Sequence, residues 1–249
     1  MKSRLTSGFS IIDEVLTELR DRGAANRIAV TLPESFAENW FIRRVPDFYH
    51  QNSAVDLRLN ASNRRIDLAA EGFDFAIRYC PLPEKGLDAV DLFGDYVVPV
   101  CTPAFADRYR LSEGVRSLSG IPLVHLENRT PDPEWANWES WSGVFDIEID
   151  PPEGVVRFSK ISSGLQAALT GQGLVLCGIA EAYDAIMSGA LEIPFGPAKH
   201  VPTGYLYRLV SVSGRPKSLL QRQFQEWVVD TAGAFAESVS GLLQHDPQR

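Results

Sequence analysis

A chain of 249 residues that is 45% hydrophobic and 22% charged can bury a substantial core, and fits one large domain or two small ones. Its 24 Lys plus Arg against 32 Asp plus Glu leave a net charge of -8, which opposes general attraction to phosphate backbones. The charged opening MKSRLTSGFSIIDEVLTELRDRG lacks the apolar core of a signal peptide, and no later stretch reaches membrane-spanning length; a cytoplasmic protein without membrane contact is expected.

Leu5, Phe9, Ile12, Leu16 and Leu19 form an a/d stripe, with Gly23 as a stop, so residues 1–23 read as a helix. The stripe fits pairing with a second helix and fits packing on its own domain equally well. RIAVTL at 27–32 is a strand candidate, and a helix through Phe36, Trp40, Phe41, Val45 and Phe48 follows. VDLRL at 55–59, a short helix through Leu68, and FDFAIR at 73–78 complete a β-α-β-α-β unit with parallel strands, the kind of sheet that binds ligands beyond its C-terminal strand ends.

YVVPVC at 96–101 and IPLVHL at 121–126 begin a second alternating set. It continues through VVRFS at 155–159, a helix at 162–170, LVLCG at 174–178, a helix near 179–188 and LEIPF at 191–195. YLYRLVSV at 205–212 and a helix from Leu219 to Val239 close the chain. Two similar α/β halves imply two small domains, with crossovers near Cys101–Thr102 and Pro202–Gly204.

Enzyme signatures are largely missing. The sequence has no G-x-S-x-G elbow, H-E-x-x-H pair, Walker loop or paired-Cys zinc spacing, and His50, His125, His200 and His245 are too scattered for a local metal motif. Cys80, Cys101 and Cys177 are expected to be small buried thiols. Gly171-Gln172-Gly173 falls after a helix and before a strand, the reverse of a dinucleotide loop; Gly171 is expected to end the helix in the left-handed region. Trp135, Trp138 and Trp141, three apart, read as core before ligand wall.

Binding candidates gather at the first half's strand ends. Ser35 and Phe36 open the first helix. Asn60, Ser62 and Asn63 precede Arg64, Arg65 and Asp67, which are expected to open the next, and Arg78 and Tyr79 end the third strand. Amides, hydroxyls and free backbone N–H groups at such junctions hold carboxylates or other small polar groups, although a helix cap with a solvated charge pair explains the same residues.

The runs RIAVTLPESFAENWFIRRVPDFYHQNSAVDLRL, RRIDLAAEGFDFAIRY, VVPVCTPAFA, IPLVHLE, SSGLQAALTGQGLVL and SGALEIPFGP, spread over residues 5–240, resemble the effector-binding region of LysR-type transcriptional regulators. Within that family the DLAAEGFDFAIRY string and the tryptophan-rich segment look most like the glycine-cleavage activator and AmpR-like branch. The resemblance implies an α/β fold of two periplasmic-binding-protein-like (type 2) subdomains, each a mixed, mostly parallel sheet flanked by helices and joined by two crossover strands. Residues 1–23 would be the remnant of a dimerising linker helix, 27–101 with 205–240 the first subdomain, and 102–204 the second. It further implies a small-molecule effector in the cleft between them, no cofactor, assembly as a homodimer or tetramer, and contact with promoter DNA only through a winged helix-turn-helix absent from this sequence. Carried over by position, the cleft lining would be Ser35, Phe36, Asn63, Asp67, Arg78, Tyr79, His125, Ser159 and Tyr205.

Overall fold

A computed structural model describes residues 26–82, 85–127, 130–150 and 156–244. The Leu5–Leu19 stripe lies outside them. The first strand, β1 (Arg27–Leu32), passes through Pro33 into a continuous helical run, α1, built of Glu34–Phe36, a π-helical turn Ala37–Phe41, and Ile42–Gln51. There follow β2 (Asp56–Ala61), β3 (Phe75–Cys80), β4 (Leu87–Val100), α2 (Pro103–Tyr109), β5 (Leu123–Leu126), α3 (Trp138–Phe145) and β6 (Arg157–Phe158). The chain ends through α4 (Ile161–Leu169), β7 (Leu174–Gly178), α5 (Ile179–Met187), β8 (Val201–Val212) and α6 (Leu219–Gln244).

The strands form one sheet in the order β2-β1-β3-β8-β4-β7-β5-β6. β1 pairs parallel with β2 and β3, and β5 pairs parallel with β6 and β7. The two parallel groups are joined by the long strands β4 and β8, antiparallel to each other from Leu87↔Val212 to Val97↔Val201 with register shifts between Asp91 and Phe93 and between Gly94 and Tyr96. β8 is also antiparallel to β3, and the last residues of β4 to β7. Such a sheet is read as two halves hinged on a pair of shared strands.

One hydrophobic core runs through both halves, and the second half adds another of its own. In the first, Ile28, Val30, Leu32, Phe75 and Ile77 on one face of the sheet are covered by Phe36, Trp40, Phe41 and Phe48 of α1 and by Phe224 and Val228 of α6. In the second, Trp138 and Trp141 of α3 pack with Trp135, Phe105, Leu118, Leu174, Leu176 and Phe195. The Trp138 indole donates to the Val124 carbonyl and that of Trp141 to the Lys199 carbonyl, both at 3.0 Å, so these tryptophans are core pieces with their polar edges satisfied.

Three expected elements differ. The helix through Leu68 is a turn: Asp67 Oδ1 accepts from the Ala69 and Ala70 N–H groups at 3.0 Å, and this side chain-to-backbone competition favours turns over helix. LEIPF contributes a single bridge, Glu192 to Cys101, because Pro194 has no N–H to extend a ladder. The strand expected at 96–101 is the end of β4, which begins at Leu87. Gly171 has φ +73 after α4, as its position predicts, and a Cβ on Gly173 would stand 2.9 Å from the Pro122 carbonyl oxygen, so the chain enters β7 only because that residue is glycine.

Candidate functional site

A cavity of about 510 Å³ opens at the C-terminal ends of β1, β2, β3 and β6, where the first turns of α1, α4 and α5 also arrive. Helix starts carry free N–H groups and the positive end of the helix dipole, so this edge favours polar and anionic groups. Ser35, Asn63, Arg78, Tyr79, Ser159 and Tyr205 all line it. They reach it from both halves of the sheet.

Ser35 Oγ donates to Glu181 Oε1 at 3.1 Å, across from α1 to α5, and Asn63 Oδ1 accepts from the Glu34 N–H at 3.2 Å, fixing the start of α1 against the end of β2. Tyr79 OH donates to Asp132 Oδ2 at 2.5 Å. The same oxygen accepts from the N–H groups of Gly204 and Tyr205, at 3.0 and 2.9 Å, so one buried carboxylate ties β3 to the return strand. Tyr79, Tyr205 and Tyr207 lie together on one face with ring centroids 5.0–5.6 Å from Tyr79, and Trp135 meets Tyr79 edge-on at 5.7 Å. Lys160 Nζ reaches Glu34 Oε2 at 2.8 Å, a second polar link over the mouth.

Phe36, Asp67 and His125 do not line this cavity. Phe36 is wholly buried, stacked 4.7 Å from Trp40 and 4.6 Å from Tyr207, so the residue beside Ser35 faces the core. Asp67 spends its carboxylate on the turn it caps, and Arg64, which could have paired with it, binds Glu71 at 2.6 Å instead. His125 sits within β5 opposite Arg157 of β6, half-buried outside the lining.

The residues that sequence reasoning missed are acidic. Glu181, in the first turn of α5, is 3% exposed and accepts at Oε1 from both Ser35 Oγ and Tyr207 OH, each at 3.1 Å. Beside it Asp95 of β4, 2% exposed, accepts at Oδ1 from the Tyr96 and Ala180 N–H groups. The other oxygens, Asp95 Oδ2 and Glu181 Oε2, are buried with no hydrogen-bond partner. A Cβ on Gly178 would lie 2.3 Å from the one and 2.4 Å from the other, so both point into the same small space, open only because residue 178 is glycine. Burial pushes both carboxyls up, and the charge of Asp95 raises Glu181 further. Two carboxyl groups in one low-dielectric hole do not both ionise at neutral pH. The junction rule that picked out Ser35 applies equally to Gly178–Glu181, where a strand runs into a helix, and would have found this residue.

Two α/β halves on shared strands, with a polar and aromatic cavity where both sets of strand ends meet, define a bilobed ligand-binding protein of the type 2 periplasmic-binding-protein-like fold. The chain belongs to the LysR substrate binding domain family, whose profile matches residues 21–233. It is 28% identical over 229 residues to the glycine cleavage system transcriptional activator of Escherichia coli K12, covering 92% of this chain and 72% of that protein. To the HTH-type transcriptional activator AmpR of Rhodobacter capsulatus it is 29% identical over 224 residues, covering 90% and 73%. The effector domain of AmpR from Pseudomonas aeruginosa superposes with a TM-score of 0.65 at 26% identity, covering 86% of this chain and 98% of that one. CrgA, a LysR-type regulator of Neisseria meningitidis, shares the fold at a TM-score of 0.63 and 18% identity, covering 92% and 77%. Among the described residues no helix is long and apolar enough to cross a membrane.

Proposed function

We propose that the chain senses a small polar or acidic effector, held between a first subdomain, 27–101 with 205–240, and a second, 102–204, and that occupancy sets the geometry an attached DNA reader reports. The observation that carries this is the convergence of Ser35, Asn63, Tyr79 and Tyr205 from the first subdomain with Trp135, Ser159 and Ser162 from the second, beneath three helix starts. A ligand touching both walls favours the arrangement in which they are close, and an equilibrium shifts only through such differential contact. The site is a binding site rather than a catalytic one, and needs no cofactor. Transcriptional control would pass to promoter DNA through a winged helix-turn-helix, within a cytoplasmic homodimer or tetramer.

Titration calorimetry on the full chain against amino acids, aromatic acids and cell-wall fragments tests the reading. At least one class should bind, and Asn63→Ala or Tyr205→Ala should weaken it by about tenfold, the worth of one hydrogen bond to a charged group. Absence of binding across the panel, or a panel in which no ligand's affinity responds to either substitution, would overturn it.

A further inference from the structure

The cavity has a second lobe. Successive residues of a strand face opposite sides of the sheet, so Tyr79 looks toward Tyr207 on the α1 side, whereas Ala76, Arg78 and Cys80 look outward. The register puts Val210 beside Ala76 on that outer side, and Thr31 of β1 on the other flank. Among the described residues no helix covers this part of the sheet; the 62–73 segment crosses it, and Leu68 packs on Ala76 and Val210. Ile66, Leu82 and Leu87 complete an apolar wall that is continuous with the cavity over the strand ends.

Arg78 stands at the top of this wall, half-buried. Its guanidinium donates to the Ile77 carbonyl at 2.9 Å and to Thr31 Oγ1 at 3.1 Å, both neutral. Among the described residues no carboxylate pairs with it, whereas Arg64 and Lys160 nearby hold Glu71 and Glu34. Desolvation lowers its pKa, the mark of a cation held away from water without an anion to offset the loss. Five N–H donors on a planar fork leave enough capacity for a carboxylate.

We propose that this outer lobe is a second ligand subsite, opening off the cavity between the halves on the opposite face of the sheet, which takes an aromatic carboxylate: the carboxylate on Arg78 and the ring on Leu68, Leu87 and Val210. The outer position also places Cys80 as a reporter. It is the half-buried cysteine of the three, Cys101 and Cys177 being fully buried.

The test uses 2-naphthoate on the full chain, followed by calorimetry and by the rate of Cys80 labelling with an aromatic disulfide reagent. Naphthoate should bind saturably and slow the labelling, while neutral 2-naphthamide should bind at least about tenfold more weakly. Arg78→Gln and Leu82→Asp should each weaken naphthoate by a similar factor; Leu82 is 76% exposed, so its substitution leaves the fold intact even if Arg78→Gln does not. Asn63→Ala and Tyr205→Ala, which test the cleft, should leave naphthoate unchanged. No binding up to millimolar concentration, binding that survives both Arg78→Gln and Leu82→Asp, or binding lost in Tyr205→Ala with Cys80 unprotected would overturn the proposal, and the first two would leave the cleft reading standing.

Discussion

Glu181 and Asp95 make a pH-dependent contribution to stability whose sign is fixed by their burial. Each carboxyl keeps its proton further up the pH scale in the folded protein than in the unfolded chain, so folding takes up protons over that interval. The pair's contribution is present near pH 4, where an unfolded carboxyl titrates, and is lost as pH rises through the folded value, which for Glu181 is about 8. Glu181→Gln keeps an oxygen to accept from Ser35 and Tyr207 and gains an amide that can donate to Asp95 Oδ2. Denaturant unfolding as a function of pH should therefore show the variant more stable than the parent above pH 8 by about 1–3 kcal/mol, with a flatter profile. An unchanged slope would mean that Glu181 titrates in the folded protein as it does in the unfolded chain. At this scale the sequence showed Ser35, Asn63 and Tyr79 as junction residues but not Glu181, Asp95 or Asp132. Glu181 stands at a junction of the same kind, whereas the roles of Asp95 and Asp132 arise from contacts between residues far apart in the chain, such as Tyr79 with Asp132. Arg78 and Tyr79 were grouped by their common edge, although strand period already assigns them to opposite faces.

At the scale of elements, hydrophobic periodicity located β1, α1, β7, α5 and α6 well because each buries a full face. It failed where a polar side chain took over the backbone, at Asp67, and where proline removed a donor, at Pro194. It also shortened β4, since LDAVDLFGD alternates too irregularly to announce a strand, and its bulges near Asp91–Phe93 and Gly94–Tyr96 explain why. The final helix is secured by aromatics: Phe224 is wholly buried, with ring centroids 5.3 Å from Phe48 and 5.4 Å from Phe75. Phe224→Ala should cost about 3–5 kcal/mol, because α6 cannot collapse into the hole while its other aromatics hold it to α1. Urea unfolding measures this directly. A loss under about 1 kcal/mol would mean α6 is not an integral wall of the first half.

At the scale of the molecule, the two halves are fastened at the back and open at the front. Behind the cavity, Arg44 of α1 makes a forked pair with Asp184 of α5 at 2.9 and 3.2 Å, and Ser35 and Tyr207 converge on Glu181. In front, Lys160 and Glu34 meet over the mouth with the lysine side chain 60% exposed, a contact that solvent screens and a ligand can displace. That asymmetry suits a hinge on β4 and β8 whose rest angle is set by the buried contacts and adjusted by whatever occupies the front. Amide hydrogen exchange on the full chain, with and without the tightest binder found by titration, examines this most directly. Simultaneous protection of 33–35, 62–63 and 205 on one wall and of 159–162 on the other is the predicted result. Protection confined to a single wall would contradict an effector held between the halves.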